Sequence, residues 1–243
     1  MKKLLLVFLI LSLYGCSTVT YRKSPRFENY FDQSKTIGVI SPGVKIYSLT
    51  AGGIDQYNDE WSIQSKEKIL RLIKEKLETV SNSKVAYIDE KQLNESQKDL
   101  VSEQNGMFFT VAHSIIAHTY LPVSQFPYKV KNFDYTMGDE VGDLNSIANV
   151  DTLLFCSGRN YIWTTGRVSL SIFGALLGAA TGVCVIVPAG PEWIVLSLVD
   201  AKTGEVIWFN YKPMPGDLRN EDVDKKIIDE LFKDFPEKWR GNK

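Results

Sequence analysis

The acidic side chains near the middle of the sequence are the first candidates for chemistry. Asp139, Glu140 and Asp143 are close in sequence, and paired carboxylates can serve as general acid and base in hydrolysis. The same residues fall in the first turn of a short helix predicted over residues 138–148, where negative charge stabilises the helix dipole. We favour this structural role over a catalytic one.

The two histidines of the chain are candidates for a metal site. His113 and His118 are five residues apart, which corresponds to about 140° of rotation around an α-helix, so their rings would not converge on one ion. We expect a structural role for both, with no metal and no cofactor. The G-x-S-x-G, H-E-x-x-H, Walker A and G-x-G-x-x-G motifs do not occur in the sequence, so we predict that the protein is not an enzyme.

Composition narrows the class of protein further. The 243 residues include 28 Lys and Arg against 29 Asp and Glu, and 44% are hydrophobic, which is typical of a globular protein. A nucleic-acid-binding protein normally has a broad basic surface for phosphate contacts, and a net charge of −1 does not provide one. We therefore expect no nucleic-acid partner.

A cysteine near the N-terminus points to an export signal. Residues 1–15 contain two lysines, an apolar run and a small residue directly before Cys16, which is the pattern of a secretory signal peptide. The run is too short for a transmembrane helix, which needs about 20 apolar residues. Leu13-Tyr14-Gly15-Cys16 resembles the lipobox of bacterial lipoproteins, which implies that residues 1–15 are removed and that Cys16 receives the lipid. The alternative is an ordinary secreted protein with a chance cysteine.

Export also bears on the other two cysteines. Cys156 and Cys184 lie in apolar stretches of the sequence, and an oxidising compartment allows paired thiols to persist. Two separate buried thiols and one disulfide both fit this pattern. The sequence has no further ligands nearby that would make the two cysteines a metal site.

The pattern of apolar residues predicts a domain that begins after a polar tether. Residues 16–35 lack an apolar period and are assigned to the lipidated tether. β-Branched runs predict strands, and apolar residues one helical turn apart predict helices. The predicted strands cover residues 36–40, 84–88 and 150–163, with 44–49 either a strand or a turn, and the predicted helices cover residues 61–80, 92–104, 107–120, 138–148 and 220–235. An aromatic, proline-bearing loop occupies residues 122–135.

The C-terminal part completes the predicted fold. Residues 192–210 predict a β-hairpin, and the helix over residues 220–235 is expected to close the sheet from one face. Together these elements predict a single α/β domain over residues 36–236, with a mixed sheet, helices packed on it and a short tail at 237–243. On the predicted strand 150–163, Arg159, Tyr161 and Trp163 alternate on one face, where they form either a recognition surface or packing at the sheet edge.

Residues 168–191 are the most unusual part of the sequence because they contain no charged residue. Gly174, Gly178 and Gly182 are four residues apart, and in a helix they would form one flat face against which another backbone could pack. Three interpretations stay open for this segment: burial or contact with a partner, contact with or insertion into a membrane, and a plain membrane span. A plain span is disfavoured because it would separate the hairpin from its sheet.

The sequence resembles a group of bacterial envelope lipoproteins in three features. These are the lipobox, the order of the predicted elements, and the motif L-V-D-A-K-T-G-E-V-I-W, which covers Val199–Trp208 and the leucine before it. The group includes the curli-secretion channel lipoprotein and the lipoprotein activators of penicillin-binding proteins. The resemblance implies a domain similar to the anticodon-binding fold, anchored by its lipid and facing the periplasm, with the outer membrane as the expected location. We expect a non-catalytic assembly or accessory module that binds an envelope protein or its own copies. The alternative is an oligomeric secretion or pore-forming lipoprotein that inserts residues 168–191.

Overall fold

The computed structural model describes residues 21–33, 36–81, 83–182 and 190–236. Within these ranges, eight strands form one sheet: β1 (Tyr21–Lys23), β2 (Thr36–Val39), β3 (Gly43–Leu49), β4 (Asp55–Tyr57), β5 (Lys84–Tyr87), β6 (Thr152–Trp163), β7 (Trp193–Asp200) and β8 (Val206–Pro213). The α-helices described are α1 (Phe27–Gln33), α2 (Asp59–Val80), α3 (Glu95–Ile115), α4 (Pro127–Lys131), α5 (Thr165–Thr181) and α6 (Glu221–Phe232). A π-helical turn, Ile116–Tyr120, follows α3, and 3₁₀ turns cover Glu90–Gln92 and Asp139–Ser146.

The sheet is mixed and is organised around β6. The strand order is β1-β8-β7-β6-β2-β5. Strand β6 pairs in parallel with β2 along its first part and in parallel with β3 along its second part, while β7 runs antiparallel on its other side. β7 and β8 form the expected hairpin, and α6 follows it. The predicted α/β class, mixed sheet, hairpin and C-terminal helix are confirmed.

Side chains on the two faces of the sheet enter two apolar cores, with helices on both sides. Leu154 and Cys156 of β6 pack in the core that contains α2 and α6. Leu153 and Phe155 point the opposite way, into the core that contains α3. This alternation follows from the two-residue period of a strand. A strand covered on both faces reads as a continuous apolar run, which is why the sequence of β6 does not alternate.

Local signals in the sequence explain where the two helices of the first core begin. The side chain of Asn58 accepts a hydrogen bond from the backbone N–H of Trp61 at 2.9 Å, which caps α2. Asn220 caps α6 in the same way, by accepting from the N–H of Asp222 at 2.9 Å. Both helices then place apolar residues one turn apart on the sheet, as the sequence predicts.

Two of the predicted boundaries are corrected by the structure. The predicted tether over residues 16–35 is too long, since β1 pairs with β8 and Phe27 of α1 is 3% exposed in the first core. The sequence could not indicate β1, because three residues are too few to show an apolar period and because its partner, β8, is distant in the sequence. The predicted helices 92–104 and 107–120 are one helix, α3, with its π turn, because Gly106 lies exposed on the helix without breaking it, while Gln104 before it is buried.

One charged side chain is buried where α2 and α6 meet. Asp224 is 1% exposed, and its Oδ2 lies 3.2 Å from Nζ of Lys68. Lys68 also donates a hydrogen bond to the carbonyl of Arg219 at 2.7 Å. Burial raises the pKa of Asp224 to about 6, and attraction to Lys68 offsets only part of this effect.

We expect Asp224→Asn to remove a pH dependence of stability. The pKa of Asp224 rises from 3.8 to about 6 on folding, so the folded protein binds the proton more tightly than the unfolded chain does. The free energy of unfolding of the wild type, relative to the Asn variant, should therefore fall as the pH rises from about 4 to about 6 and stay low above that. Urea titrations across this range measure the difference. Asp222→Asn, an exposed change on the same helix, is the control, and parallel profiles for wild type and Asp224→Asn would contradict the assignment.

Candidate functional site

The three acidic residues considered for catalysis are exposed on the 3₁₀ turn Asp139–Ser146, rather than on an α-helix. Asp143 faces Asp99 and Glu103 of α3 across an open groove of about 600 Å³. The residues that line this groove include no histidine, lysine or cysteine that could act with a carboxylate. The arrangement is that of a solvated acidic surface.

The two histidines do not meet. His113 is exposed on α3, whereas the ring of His118 stacks on Phe126 with the ring centroids 4.0 Å apart. Nδ1 of His118 lies 3.1 Å from the carbonyl oxygen of Ser124. Across the ranges that the structure describes, no three His, Cys, Asp or Glu side chains come together in a way that could hold a metal ion.

The structure describes one of the three cysteines of the chain, Cys156. Cys156 lies in the first core, 1% exposed, and burial raises the pKa of its thiol to about 12. Cys16 and Cys184 lie outside the described residues, as do the signal peptide, the tail 237–243 and residues 183–189 of the segment 168–191. Lipidation of Cys16 therefore stays a prediction, and both alternatives for Cys156 and Cys184, two separate thiols or one disulfide, stay open.

Arg159 is the centre of a cluster of aromatic rings on β6 and β3. Its guanidinium carbon lies 5.0 Å from the ring centroid of Tyr47 and 5.1 Å from that of Tyr161. Nη2 of Arg159 also lies 3.6 Å from Oδ2 of Asp55, on β4. Tyr57 packs edge-on against Tyr47 at 5.7 Å. The two rings and the carboxylate attract the guanidinium, but Nε of Arg159 is buried without a hydrogen-bond partner among the described residues.

Tyr161 is buried, and Gly190 packs closely against its ring. Burial raises the pKa of Tyr161 to about 12. Its backbone N–H donates to Oε1 of Glu192 at 2.8 Å, and burial raises the pKa of Glu192 as well. A Cβ atom on Gly190 would lie 2.5 Å from Oη of Tyr161, so the ring of Tyr161 occupies the space that a side chain at position 190 would need.

Trp163 lies at the end of β6, where α5 begins. Its side chain is 45% exposed, and the guanidinium carbon of Arg167 lies 5.2 Å from its ring centroid. Arg167 is 2% exposed, and Nη1 donates to the carbonyl of Thr50 at 3.4 Å. The N–H of Thr164 donates to the carbonyl of Leu49 at 3.1 Å. The first turn of α5 is thereby fixed to the end of β3 and the turn that follows it.

After its first turn, α5 is exposed to solvent. Within residues 168–176, every residue except Gly174 is exposed, and this stretch covers more than two helical turns, so no face of it packs on the other residues that the structure describes. The large apolar side chains that it exposes are Val168 (42%), Leu170 (46%), Ile172 (58%), Phe173 (59%) and Leu176 (65%). Residues 168–176 are thus not buried among the residues that the structure describes. No helix in the described ranges is both long and apolar enough to cross a membrane.

The predicted glycine face of this segment is interrupted. Gly174 and Gly178 lie within α5, but Gly182 follows the last helical residue, Thr181, and has a φ of 76°. A left-handed residue directly after a helix is a common helix end, and glycine adopts it without strain. Gly182 therefore ends the helix instead of extending the face.

The sequence indicated Arg159, Tyr161 and Trp163 but not their partners. The structure brings Arg159 and Tyr161 together with Tyr47 and Asp55, while Trp163 packs separately on Arg167. A signal for the β3–β4 hairpin exists in the sequence, since glycines at 52 and 53 form the turn and Gly53 has a φ of 78°. The exposure of α5 could not be seen in the sequence, because apolar helices are more often buried.

Comparison with known proteins adds little about function. No protein-family model matches the chain, and no curated protein matches it. Among solved structures, it is similar to the PelC dodecamer of Paraburkholderia phytofirmans, at 9% identity and a TM-score of 0.37, over 92% of this chain and 96% of that chain. It is also similar to the LpoB C-terminal domain of Salmonella enterica, at 10% identity and a TM-score of 0.29, over 74% of this chain and 82% of that one.

Lipoprotein GNA1162 of Neisseria meningitidis is a further structural neighbour, at 10% identity and a TM-score of 0.29, over 83% of this chain and 99% of that one. At identities and TM-scores this low, the likenesses tell nothing about what the chain binds. The geometry of the chain itself offers an exposed apolar helix fixed at its base, which is suited to contact with another apolar surface.

We expect Gly190→Ala to destabilise the protein by about 1–3 kcal/mol, since the new methyl group would displace the buried ring of Tyr161. Thermal or urea unfolding measures the loss. Gly106→Ala is the matched control, because a Cβ atom there meets nothing within 4 Å and alanine is favoured by up to about 1 kcal/mol within a helix. Equal stability of wild type and Gly190→Ala would contradict the packing described for Tyr161.

Proposed function

We propose that this protein is a non-catalytic, lipid-anchored module of the bacterial cell envelope that binds a protein partner through α5. The observation that supports this most directly is the exposure of α5, whose apolar side chains find no cover within the described chain. Large exposed apolar patches on soluble domains mark sites of interaction with proteins or membranes.

Covering this surface would contribute part of the free energy that specific binding needs. Complete burial of a Leu, Ile or Phe side chain contributes about 1.5–3 kcal/mol. Ile172, Phe173 and Leu176 are each more than half exposed, so a partner that covers them gains several such contributions, minus the cost of association. The first turn of α5 is already held by the domain, so binding a partner costs less conformational entropy there.

The anchor is inferred from the sequence pattern at Cys16. Acyl chains contribute about 0.8 kcal/mol for each buried methylene, so two or more chains hold a protein on a membrane without help from its fold. The location that we propose is the periplasmic side of the outer membrane, in keeping with Ser17 after the cysteine. The module has no need of a cofactor for this role.

A second candidate function is an oligomeric secretion or pore-forming lipoprotein in which several copies insert residues 168–191. The observation that favours it is the same apolar helix, which lacks charged residues after Arg167. A single copy of α5 is too short to span a bilayer, so this function requires the remainder of the segment and several copies.

We expect Cys16→Ser to move the full-length protein from the membrane fraction to the soluble exported fraction. The substitution removes the thiol that would receive the lipid. Mass spectrometry of the wild-type N-terminus and fractionation of cells expressing each form provide the measurement. Cys184→Ser is the control for a cysteine outside the motif. An unmodified Cys16 in the wild type would contradict the anchor.

We expect Ile172→Gln to weaken the complex formed by the lipidated protein about tenfold, which corresponds to about 1.4 kcal/mol. The native mass of the protein extracted in mild detergent, together with the identity of what co-purifies, is the measurement. Ile63→Gln is the matched control, since Ile63 is an exposed isoleucine of α2. A homo-oligomer of many copies that depends on Ile172 would favour the pore-forming function, and a complex unaffected by Ile172→Gln would contradict both.

A further inference from the structure

A second exposed apolar surface lies in the loop that follows α3 and its π turn. Within residues 121–130, five large apolar side chains are exposed. They are Leu121 (39%), Val123 (97%), Phe126 (52%), Tyr128 (63%) and Val130 (37%). We call residues 121–130, a turn followed by residues 127–130 of α4, the apolar loop. Lysines at positions 129 and 131 flank its end.

The apolar loop is held in one conformation by contacts to the turn before it. The hydroxyl of Ser124 donates to the carbonyl of Ala117 at 2.7 Å, and the N–H of Phe126 donates to the carbonyl of His118 at 2.9 Å. The ring of Phe126 stacks on that of His118 at 4.0 Å. These contacts fix the backbone while the apolar side chains point to solvent, so the exposure is a property of the folded loop.

The apolar loop lies next to the point where the chain enters the domain. The guanidinium carbon of Arg22, in β1, lies 5.3 Å from the ring centroid of Tyr120, the residue directly before the loop. Only five peptide units separate Cys16 from Tyr21, and an extended chain reaches at most about 18 Å over that length. A lipid on Cys16 would therefore hold the start of β1, and the loop beside it, close to the membrane surface.

We propose that the apolar loop rests on the lipid surface to which Cys16 is anchored, as a second membrane contact. This inference rests on the proposed lipidation of Cys16. Aromatic side chains are favoured at the interface between lipid and water, where their rings reach the acyl chains and their polar groups stay in the headgroup region. Lys131, exposed at the end of the loop, is suited to anionic headgroups. The contact would restrict the orientation of the domain on its short tether.

A fluorescent probe in the loop tests this contact. We would replace Val123 with an environment-sensitive fluorescent amino acid in the lipidated full-length protein, and reconstitute it in vesicles of phosphatidylethanolamine and phosphatidylglycerol. Val123 is 97% exposed, so the probe leaves the fold unchanged. We expect a blue shift in vesicles, and loss of emission when the lipids are brominated on their acyl chains. The same probe at position 63, exposed on α2, is the control and should show neither change.

Flotation of the same samples separates the two proposals. Protein that floats with the vesicles while the probe at position 123 stays in water would overturn the loop contact and leave the anchor in place. Protein that does not float would overturn the anchor and the loop contact with it. A blue shift without quenching by brominated lipids would assign the loop to a protein surface, which also overturns the proposal.

Discussion

Strand β6 is the element on which the rest of the structure depends. Its residues 152–158 are all buried, and its side chains alternate between the two apolar cores. It also pairs with β2, β3 and β7, so the two parallel strands and the C-terminal hairpin meet only through it. A polar residue on either face of this part of β6 would lose packing in a core. Beyond Gly158, Asn160 and Tyr161 are still buried, whereas Arg159 and Trp163 are partly exposed, and α5 begins after this part of the strand.

Much of the fold could be predicted because its larger elements have local signals. Helices α2 and α6 have an apolar period and a capping asparagine, and β6 and β7 are long apolar runs. Strands β1 and β4 lacked such signals, since each has three residues and exists only through its pairing with β8 or β3. The break predicted near Gly106 failed for a different reason: a glycine on the exposed side of a long helix lowers its stability without ending it.

The candidate site was less predictable than the fold because its contacts are non-local. The spacing of Arg159, Tyr161 and Trp163 correctly placed them on one face of a strand, but it gave no indication that Tyr47 and Asp55 would enclose Arg159. These partners arrive through the parallel pairing of β3 with β6. The side chain of Arg159 is 29% exposed and that of Trp163 is 45% exposed, so both remain accessible parts of the predicted surface.

The direction of the strands relates the proposed lipid anchor at Cys16 to the exposed helix α5. β1 runs antiparallel to β8, with Tyr21 opposite Asn210, so the chain enters β1 from the end of the sheet where β8 finishes. β8 and β6 point the same way, since each is antiparallel to β7. The end at which the chain enters is therefore the end from which α5 leaves. If a lipid at Cys16 holds that end of the sheet near the membrane, a partner that covers α5 must bind close to the membrane surface. This geometry favours a partner that is itself embedded in, or bound to, the same membrane.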